Sequence, residues 1–153
     1  MLNYLKKIFS IFLIFNLTFV SSAQAATTFV DSFDVSTQDT TPRGLAFNND
    51  GTKMFVVGDT GNDINSYTLS TGFDLSTATF NDINGDGSGF DISGQETTPQ
   101  YIKFNNDGTK MFVSGNSGDD INVYTLSTGF DLSTATFNDI NGDGSGFDIS
   151  GQE

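Results

Sequence analysis

Two near-copies of one unit make up most of this chain. Sliding the sequence against itself by 57 positions aligns Pro42–Glu96 with Pro99–Glu153, and nine of the 55 aligned positions differ. The second half of each unit, Thr68–Glu96 and Thr125–Glu153, is identical. A period of this length predicts structural units that stack and share a hydrophobic core. The fold therefore has to be predicted from one unit and from the way its copies meet.

Each unit carries the pattern of an antiparallel meander. Short runs rich in β-branched and aromatic residues, Leu45–Phe47, Lys53–Val57 and Ile64–Leu69, are separated by clusters of Gly, Asn and Asp. Asp50-Gly51 between the first two runs supplies the positive backbone angles of a tight hairpin turn. The second unit repeats the pattern over Ile102–Phe104, Asp107-Gly108 and Met111–Val113. We therefore predict an all-β fold of antiparallel four-stranded meander repeats.

The fourth strand is predicted from the residues that precede the first unit. Residues 28–36 alternate apolar and polar side chains with the period of two that a half-buried strand shows. Phe29 and Phe33 lie 4 residues apart there, whereas the matching Phe80 and Phe90 lie 10 apart. The difference predicts a six-residue insertion within or beside the fourth strand. It falls at Ile83–Ser88 and again at Ile140–Ser145.

The first 25 residues have the composition of a secretory signal peptide. Lys6 and Lys7 precede an apolar run from Ile8 to Val20, and Ala23-Gln24-Ala25 suits a signal peptidase. We predict cleavage after Ala25, no membrane insertion afterwards, and a secreted, periplasmic or cell-surface location; the alternative is an uncleaved membrane anchor. The predicted organisation is 1–25 signal peptide, 26–41 outer strand and linker, 42–98 first repeat and 99–153 second repeat.

Charge and composition exclude several classes of function. The residues after Ala25 include four basic and 19 acidic side chains, a formal charge of −15. Such a surface disfavours nucleic acids and anionic membranes as partners. The chain has neither Cys nor His, which removes thiol chemistry, disulfides, imidazole metal ligands and the nucleophile systems that need those residues. We predict that the protein is not an enzyme.

Three segments of the first unit carry a family resemblance. They are Pro42–Val56, Tyr67–Thr71 and Phe73–Ala78, and the first has the pattern P-x-G-[LI]-x-F-x-x-D-G-T-K-M-[FY]-V. These segments resemble bacterial and phage β-propeller repeats related to the YVTN and WD-like propellers. The second unit departs from the pattern at Tyr101, which stands where the first has Gly44. The resemblance implies a partial β-propeller of about two blades plus an extra outer strand.

Propellers typically have four to eight blades, so two units do not close a ring. Three expectations follow. The chain is a truncated part of a longer gene product, or copies associate as a homo-oligomer that completes the ring, or the units form an open stack with an exposed apolar face.

The inserted segment carries oxygen-bearing side chains at alternate positions. Asp82, Asn84 and Asp86 resemble the first half of a calcium loop, in which carboxylate and amide oxygens converge on one cation. The match is incomplete, because Ser93 stands where an EF-hand loop has its bidentate Glu. The alternative is a plain turn, since Asn-Gly and Asp-Gly are preferred turn dipeptides. The candidate calcium ligands are Asp82, Asn84, Asp86, Asp139, Asn141 and Asp143.

The tetrapeptide Phe-Asp-[Leu/Ile/Val]-Ser occurs five times. On a strand its first and third residues share a face, so we predict them in the core and the Asp and Ser in solvent. For the copy at Phe73 the alternative is a turn organised by hydrogen bonds to Asp74. The five copies begin at Phe33, Phe73, Phe90, Phe130 and Phe147.

These features together predict a noncatalytic secreted module that binds a protein or glycan surface, as in adhesion, with calcium as its stabilising ion if the inserted loops bind it. The strands would form the scaffold and the loops the contacts. Two alternatives stay open: a fragment of a larger propeller enzyme of lactonase or hydrolase type, and a structural repeat of a surface array.

Overall fold

The computed structural model describes residues 28–152, and they form two antiparallel sheets with almost no helix. The predicted signal peptide lies outside this described part. Within it, the helical segments are the 3₁₀ turns Leu75–Thr77, Leu132–Thr134 and Ser150–Gln152, and no helix is long and apolar enough to cross a membrane. The predicted all-β class is confirmed.

Each repeat forms one sheet of five strands. The strands of the first sheet are β1 (Pro42–Phe47), β2 (Lys53–Gly58), β3 (Asp63–Leu69), β4 (Ala78–Phe80) and β5 (Phe90–Asp91). Those of the second are β6 (Pro99–Phe104), β7 (Lys110–Gly115), β8 (Asp120–Leu126), β9 (Ala135–Phe137) and β10 (Phe147–Asp148). The order β1-β2-β3-β4 confirms the predicted meander, and β5 pairs with β3 as well. The second sheet has the same arrangement.

The first hairpin of each sheet turns at a glycine, as predicted. Gly51 and Gly108 both have φ of 72°, a left-handed conformation that costs Gly little. Their N–H groups donate to the carbonyl oxygens of Asn48 and Asn105 at 3.2 and 3.1 Å. These bonds close the two turns.

Strands β4 and β5 are two pieces of one interrupted fourth strand. Phe80 pairs with Tyr67 and Phe90 pairs with Ile64, so both pieces lie along β3. The two phenylalanines are 10 residues apart but their partners only 3, which leaves seven extra residues, Asp82–Ser88, where the sequence predicted six. The second sheet loops out Asp139–Ser145 in the same way.

The predicted outer strand at residues 28–36 is not a strand in the structure. Residues 28–35 have no regular secondary structure. Phe33 and Val35 lie instead against the broad side of the first sheet, where the Phe33 ring meets Tyr67 edge-on with centroids 5.3 Å apart. The alternation in this segment reflects burial of one side, with Phe33 and Val35, on a sheet face. Because this segment is not a strand, comparing its phenylalanine spacing with that of the fourth strand gave the wrong length for the insertion.

Both sheets have two faces, which we call front and back. In the first sheet the front face carries Met54, Val56, Tyr67 and Leu69, and the back face carries Phe55, Val57 and Ile64. In the second sheet the matching front residues are Met111, Val113, Tyr124 and Leu126, and the matching back residues are Phe112, Ser114 and Ile121. The back face of the first sheet packs on the front face of the second, and together they form the larger hydrophobic core.

The two sheets come closest at their first strands, β1 and β6. A Cβ atom on Gly44 would lie 2.7 Å from the carbonyl oxygen of Gln100 and 2.9 Å from Val57 Cγ1. Any larger residue would push the strands apart. Two hydrogen bonds cross the same junction: Lys53 Nζ donates to Phe130 O at 2.9 Å, and Asn49 Nδ2 donates to Asn106 O at 2.6 Å.

Candidate binding loops and faces

The Asp82–Ser88 loop is held by its own side chains. Asp82 accepts the N–H of Gly85 at 2.6 Å and that of Gly87 at 3.1 Å through its two carboxylate oxygens. Asp86 Oδ1 accepts the N–H of Ser88 at 2.9 Å and its hydroxyl at 2.6 Å. Asn84 Nδ2 donates to Gly89 O at 2.8 Å, which ties the loop to the start of β5.

The second loop repeats these bonds. Its carboxylates are Asp139 and Asp143, and Asn141 donates to Gly146 O at 2.9 Å. Hydrogen bonds from Ser145 hold the pKa of Asp143 below its ordinary value, as those from Ser88 do for Asp86. The structure thus brings the six predicted ligands together only as two sets of three, one in each sheet.

Several of the carboxylate oxygens that a cation would need already accept hydrogen bonds: both oxygens of Asp82, and Oδ1 of Asp86. In the part of the chain that the structure describes, no three Asp or Glu side chains are grouped closely enough to hold a metal ion. The plain-turn alternative therefore accounts for the hydrogen bonds of the loops, and calcium binding stays a prediction.

The same turn chemistry recurs along the whole chain. In ten places an Asp carboxylate accepts the N–H of the residue two positions later, always a Ser or Thr. These aspartates are 34, 39, 50, 74, 86, 91, 107, 131, 143 and 148. Much of the acidity is therefore structural. The spacing Asp-x-[Ser/Thr] is visible in the sequence, but it suggested such a turn only at Asp74, and the overall acidity was interpreted as surface charge.

The Phe-Asp-x-Ser tetrapeptides divide into two kinds. Phe33 and Phe90 pack as predicted, each against the front-face tyrosine of a sheet. Phe73 and Phe130 instead begin turns, with φ of 62° and 59°, and the predicted turn at Asp74 is confirmed. The core prediction is wrong for the rings of Phe73, 60% exposed, and Phe147, 57% exposed. The Phe73 ring meets Phe47 with centroids 5.4 Å apart, and both Phe73 and Phe147 remain mostly open to solvent.

The aspartates that begin the third strand of each sheet, Asp63 and Asp120, are buried. Asp63 accepts the N–H of Gly89 at 2.9 Å and Asn65 Nδ2 at 2.8 Å, and Asp120 does the same for Gly146 and Asn122. Burial raises the pKa of Asp63. These carboxylates anchor the point at which the chain returns from each inserted loop to the sheet.

Most differences between the repeats lie on two surfaces. At one edge, Arg43 pairs with Asp59 at 2.7 Å, while the second repeat has Gln100 and Asn116. On the back faces, the first repeat has Gly44, Ala46, Val57 and Ser66, and the second has Tyr101, Lys103, Ser114 and Val123. The first set lies at the junction between the sheets; the second faces outward, and Tyr101 is 66% exposed.

The comparisons with known proteins identify no relative. A scan against protein-family models, a search of curated proteins and a search of solved structures each found no match to this chain.

Proposed function

We propose that the chain is an exported, noncatalytic β-propeller-type module that binds a protein or glycan surface. The observation that carries this proposal is the stacking of the two meanders. The back of one sheet lies on the front of the next, and the first strands β1 and β6 meet where Gly44 removes a side chain. Successive blades of a propeller stack in this manner around their innermost strands.

The binding surface in this proposal is the edge where the repeats differ. We call it the variable edge: Arg43, Asp59, Gln100, Tyr101 and Asn116. Arg43, Gln100 and Tyr101 line one depression there. An exposed tyrosine beside an arginine and amides supplies the aromatic and hydrogen-bonding contacts that glycan and protein surfaces use.

A glycan array probed with the labelled protein tests this proposal. We expect binding that an Arg43→Ala/Tyr101→Ala variant loses and that an Ile140→Ser variant retains, since Ile140 is exposed on the loop between β9 and β10, at the sheet edge opposite β6. Equal binding by both variants, or hydrolysis of lactone substrates by the wild type, would contradict a noncatalytic module that uses this edge.

The calcium role is tested separately. A rise in melting temperature with CaCl₂ that MgCl₂ does not produce, and that Asp86→Ala/Asp143→Ala abolishes, would support calcium ligation at the two loops. Equal responses to both salts would leave the loops as turns.

A further inference from the structure

We propose that the back face of the second sheet binds the front face of the first sheet of a second copy of this chain, head to tail. This interface shares Tyr101 with the variable edge proposed above for ligands, and Arg43 of that edge borders the front-face groove. The back-face side of this interface consists of Tyr101, Lys103, Lys110, Phe112, Ser114 and Ile121.

The internal junction shows what covers such a face. The back face of the first sheet meets Met111, Val113, Tyr124 and Leu126 of the second sheet. The first sheet carries the same four residue types on its own front face, as Met54, Val56, Tyr67 and Leu69. Within one chain these four residues are already buried beneath Phe33, Val35 and their neighbours, so the front face meets a second copy through the exposed Leu45 and Phe73 beside them.

The aromatic residues that meet at the internal junction have counterparts one repeat away, and these counterparts could make the same contacts between two copies. Phe55 lies 4.5 Å from Phe104 and 6.4 Å from Phe130, measured between ring centroids. The matching set for two copies is Phe112 with Phe47 and Phe73 of the neighbour. The rings of Phe47 and Phe73 already meet at a tilt with centroids 5.4 Å apart, and Phe73 remains exposed.

Phe73 is also held in a conformation that costs energy. A bulky side chain at φ of 62° is strained, and Phe130 carries the same strain beneath Phe55. The docked Phe112 would give Phe73 the contact that Phe130 has within the chain.

Polar groups are repeated in the same way. Lys53 Nζ donates to Phe130 O inside the chain, so Lys110 is placed to donate to Phe73 O of a second copy. Lys103 and Lys110 are two of the four basic residues after Ala25, and both lie on the back face. Asp31 and Asp74 border the depression beside Phe73, so the charges of the two faces are complementary.

The substitutions on the back face fit a groove on the front face. Tyr101 pairs across strands with Ser114, where the first repeat pairs Gly44 with Val57, so the larger side chain has a smaller neighbour. The front face of the first sheet has an apolar groove of about 300 Å³ beside Leu45, Met54 and Val56. Tyr101 of the incoming copy fills this groove. Strand β6 of one copy and β1 of the other therefore lie farther apart than β1 and β6 do within one chain.

One segment has to move when two copies dock. Phe33 and Val35 cover Tyr67 as Phe90 and Ile92 cover the second sheet's front face. Phe147 of the incoming copy would compete for that place. Phe147 is exposed and β10 pairs with β8 over only two residues, so we assign the movement to β10.

Sedimentation velocity on protein purified from the full chain tests the interface with two variants. Phe112→Asp disables the back face, and Leu45→Asp/Phe73→Asp disables the front face. All three positions are at least 36% exposed, so folding should survive, which circular dichroism checks. We expect the wild type to self-associate with increasing concentration and each variant alone to be monomeric, with affinity reduced about 30-fold or more, as for an interface hot spot.

Mixing the two variants then distinguishes head-to-tail from symmetric association. Each retains one working face, so we expect a complex of one copy of each that grows no further. Ile140 matches Ile83, which packs against the core at the internal junction, so Ile140→Asp should weaken association as well. A wild type that stays monomeric, a front-face variant that dimerises with itself, or variants that do not combine would each overturn the proposal.

Discussion

Aspartate side chains act in this protein mainly as acceptors for nearby backbone N–H groups. An Asp followed two positions later by Ser or Thr closes a turn with one carboxylate oxygen, and the hydroxyl often donates to the same oxygen. Hydrogen bonds to the charged form lower a carboxyl pKa. The hairpin tip at Asp50 is a clear instance, because the Thr52 hydroxyl and N–H together lower the pKa of Asp50.

We predict that Thr52→Val moves the pKa of Asp50 back towards about 3.9, the ordinary value for Asp, because the hydroxyl is the larger cause of the lowering. A carboxyl with a lowered folded-state pKa stabilises the fold above its unfolded pKa and loses that contribution as pH falls through the folded value. The melting temperature of Thr52→Val should therefore approach that of the wild type below about pH 4.

Carbon-detected NMR titration of Asp50 and melting curves across the acid range measure both effects. Asp107, whose Thr109 is unchanged in this variant, is the internal control. If the pKa of Asp50 were the same in the variant as in the wild type, the Thr52 hydroxyl would not be the cause of its lowering.

A second prediction concerns the buried Asp63. Asp63→Ala leaves the N–H of Gly89 and the Asn65 amide without their acceptor in a buried place, and such unpaired groups cost about 1–3 kcal/mol each. We expect urea unfolding to show a loss of that order. Asp59→Ala, which breaks an exposed ion pair with Arg43, should cost about 1 kcal/mol or less. Equal losses would mean that Asp63 does not anchor the return from the loop.

The positions of most strands could be predicted from the sequence, but which side of each strand packs against the neighbouring sheet could not. Asp-Gly turns and short apolar runs located β1 to β3 and β6 to β8. The run Met54–Val57 is apolar at every position, so a period of two could not tell which side meets the next sheet. The positions at which the repeats differ held that information, because Gly44 and Tyr101 require different neighbours.

The inserted loop gives a sharp test of strand register. Deleting Asp82–Ser88 joins Asn81 to Gly89 and places Phe90 opposite Ile64 without an interruption. We expect this variant to keep its β-sheet spectrum and most of its stability. Deleting only Ile83–Ser88 leaves one residue too many, which forces a bulge or turns Phe90 to the wrong face. Its melting temperature should be clearly lower; equal values for the two deletions would contradict the observed register.

For the whole molecule, the sequence indicated the stacking of units but not its order. Knowing that two repeats must share a core did not show that the back of the first meets the front of the second. That order depends on which side chains cross the junction, such as Lys53 to Phe130 O, and these residues are 77 apart in the chain. The calcium question also depends on geometry, since turn formation and metal binding draw on the same residues.

The net charge gives the last prediction. The residues after Ala25 carry a formal charge of −15, and in residues 28–152 the ion pair between Arg43 and Asp59 is the only one present. Repulsion among the carboxylates destabilises the compact state, and salt screens it over a Debye length of about 10 Å at 0.1 M. We expect the melting temperature to rise as NaCl is increased from low ionic strength. The variant Arg43→Gln/Asp59→Asn, which gives the first repeat the residues of the second, should show the same rise, because an exposed pair contributes little. A melting temperature that falls with salt would mean that local attractions outweigh the overall repulsion.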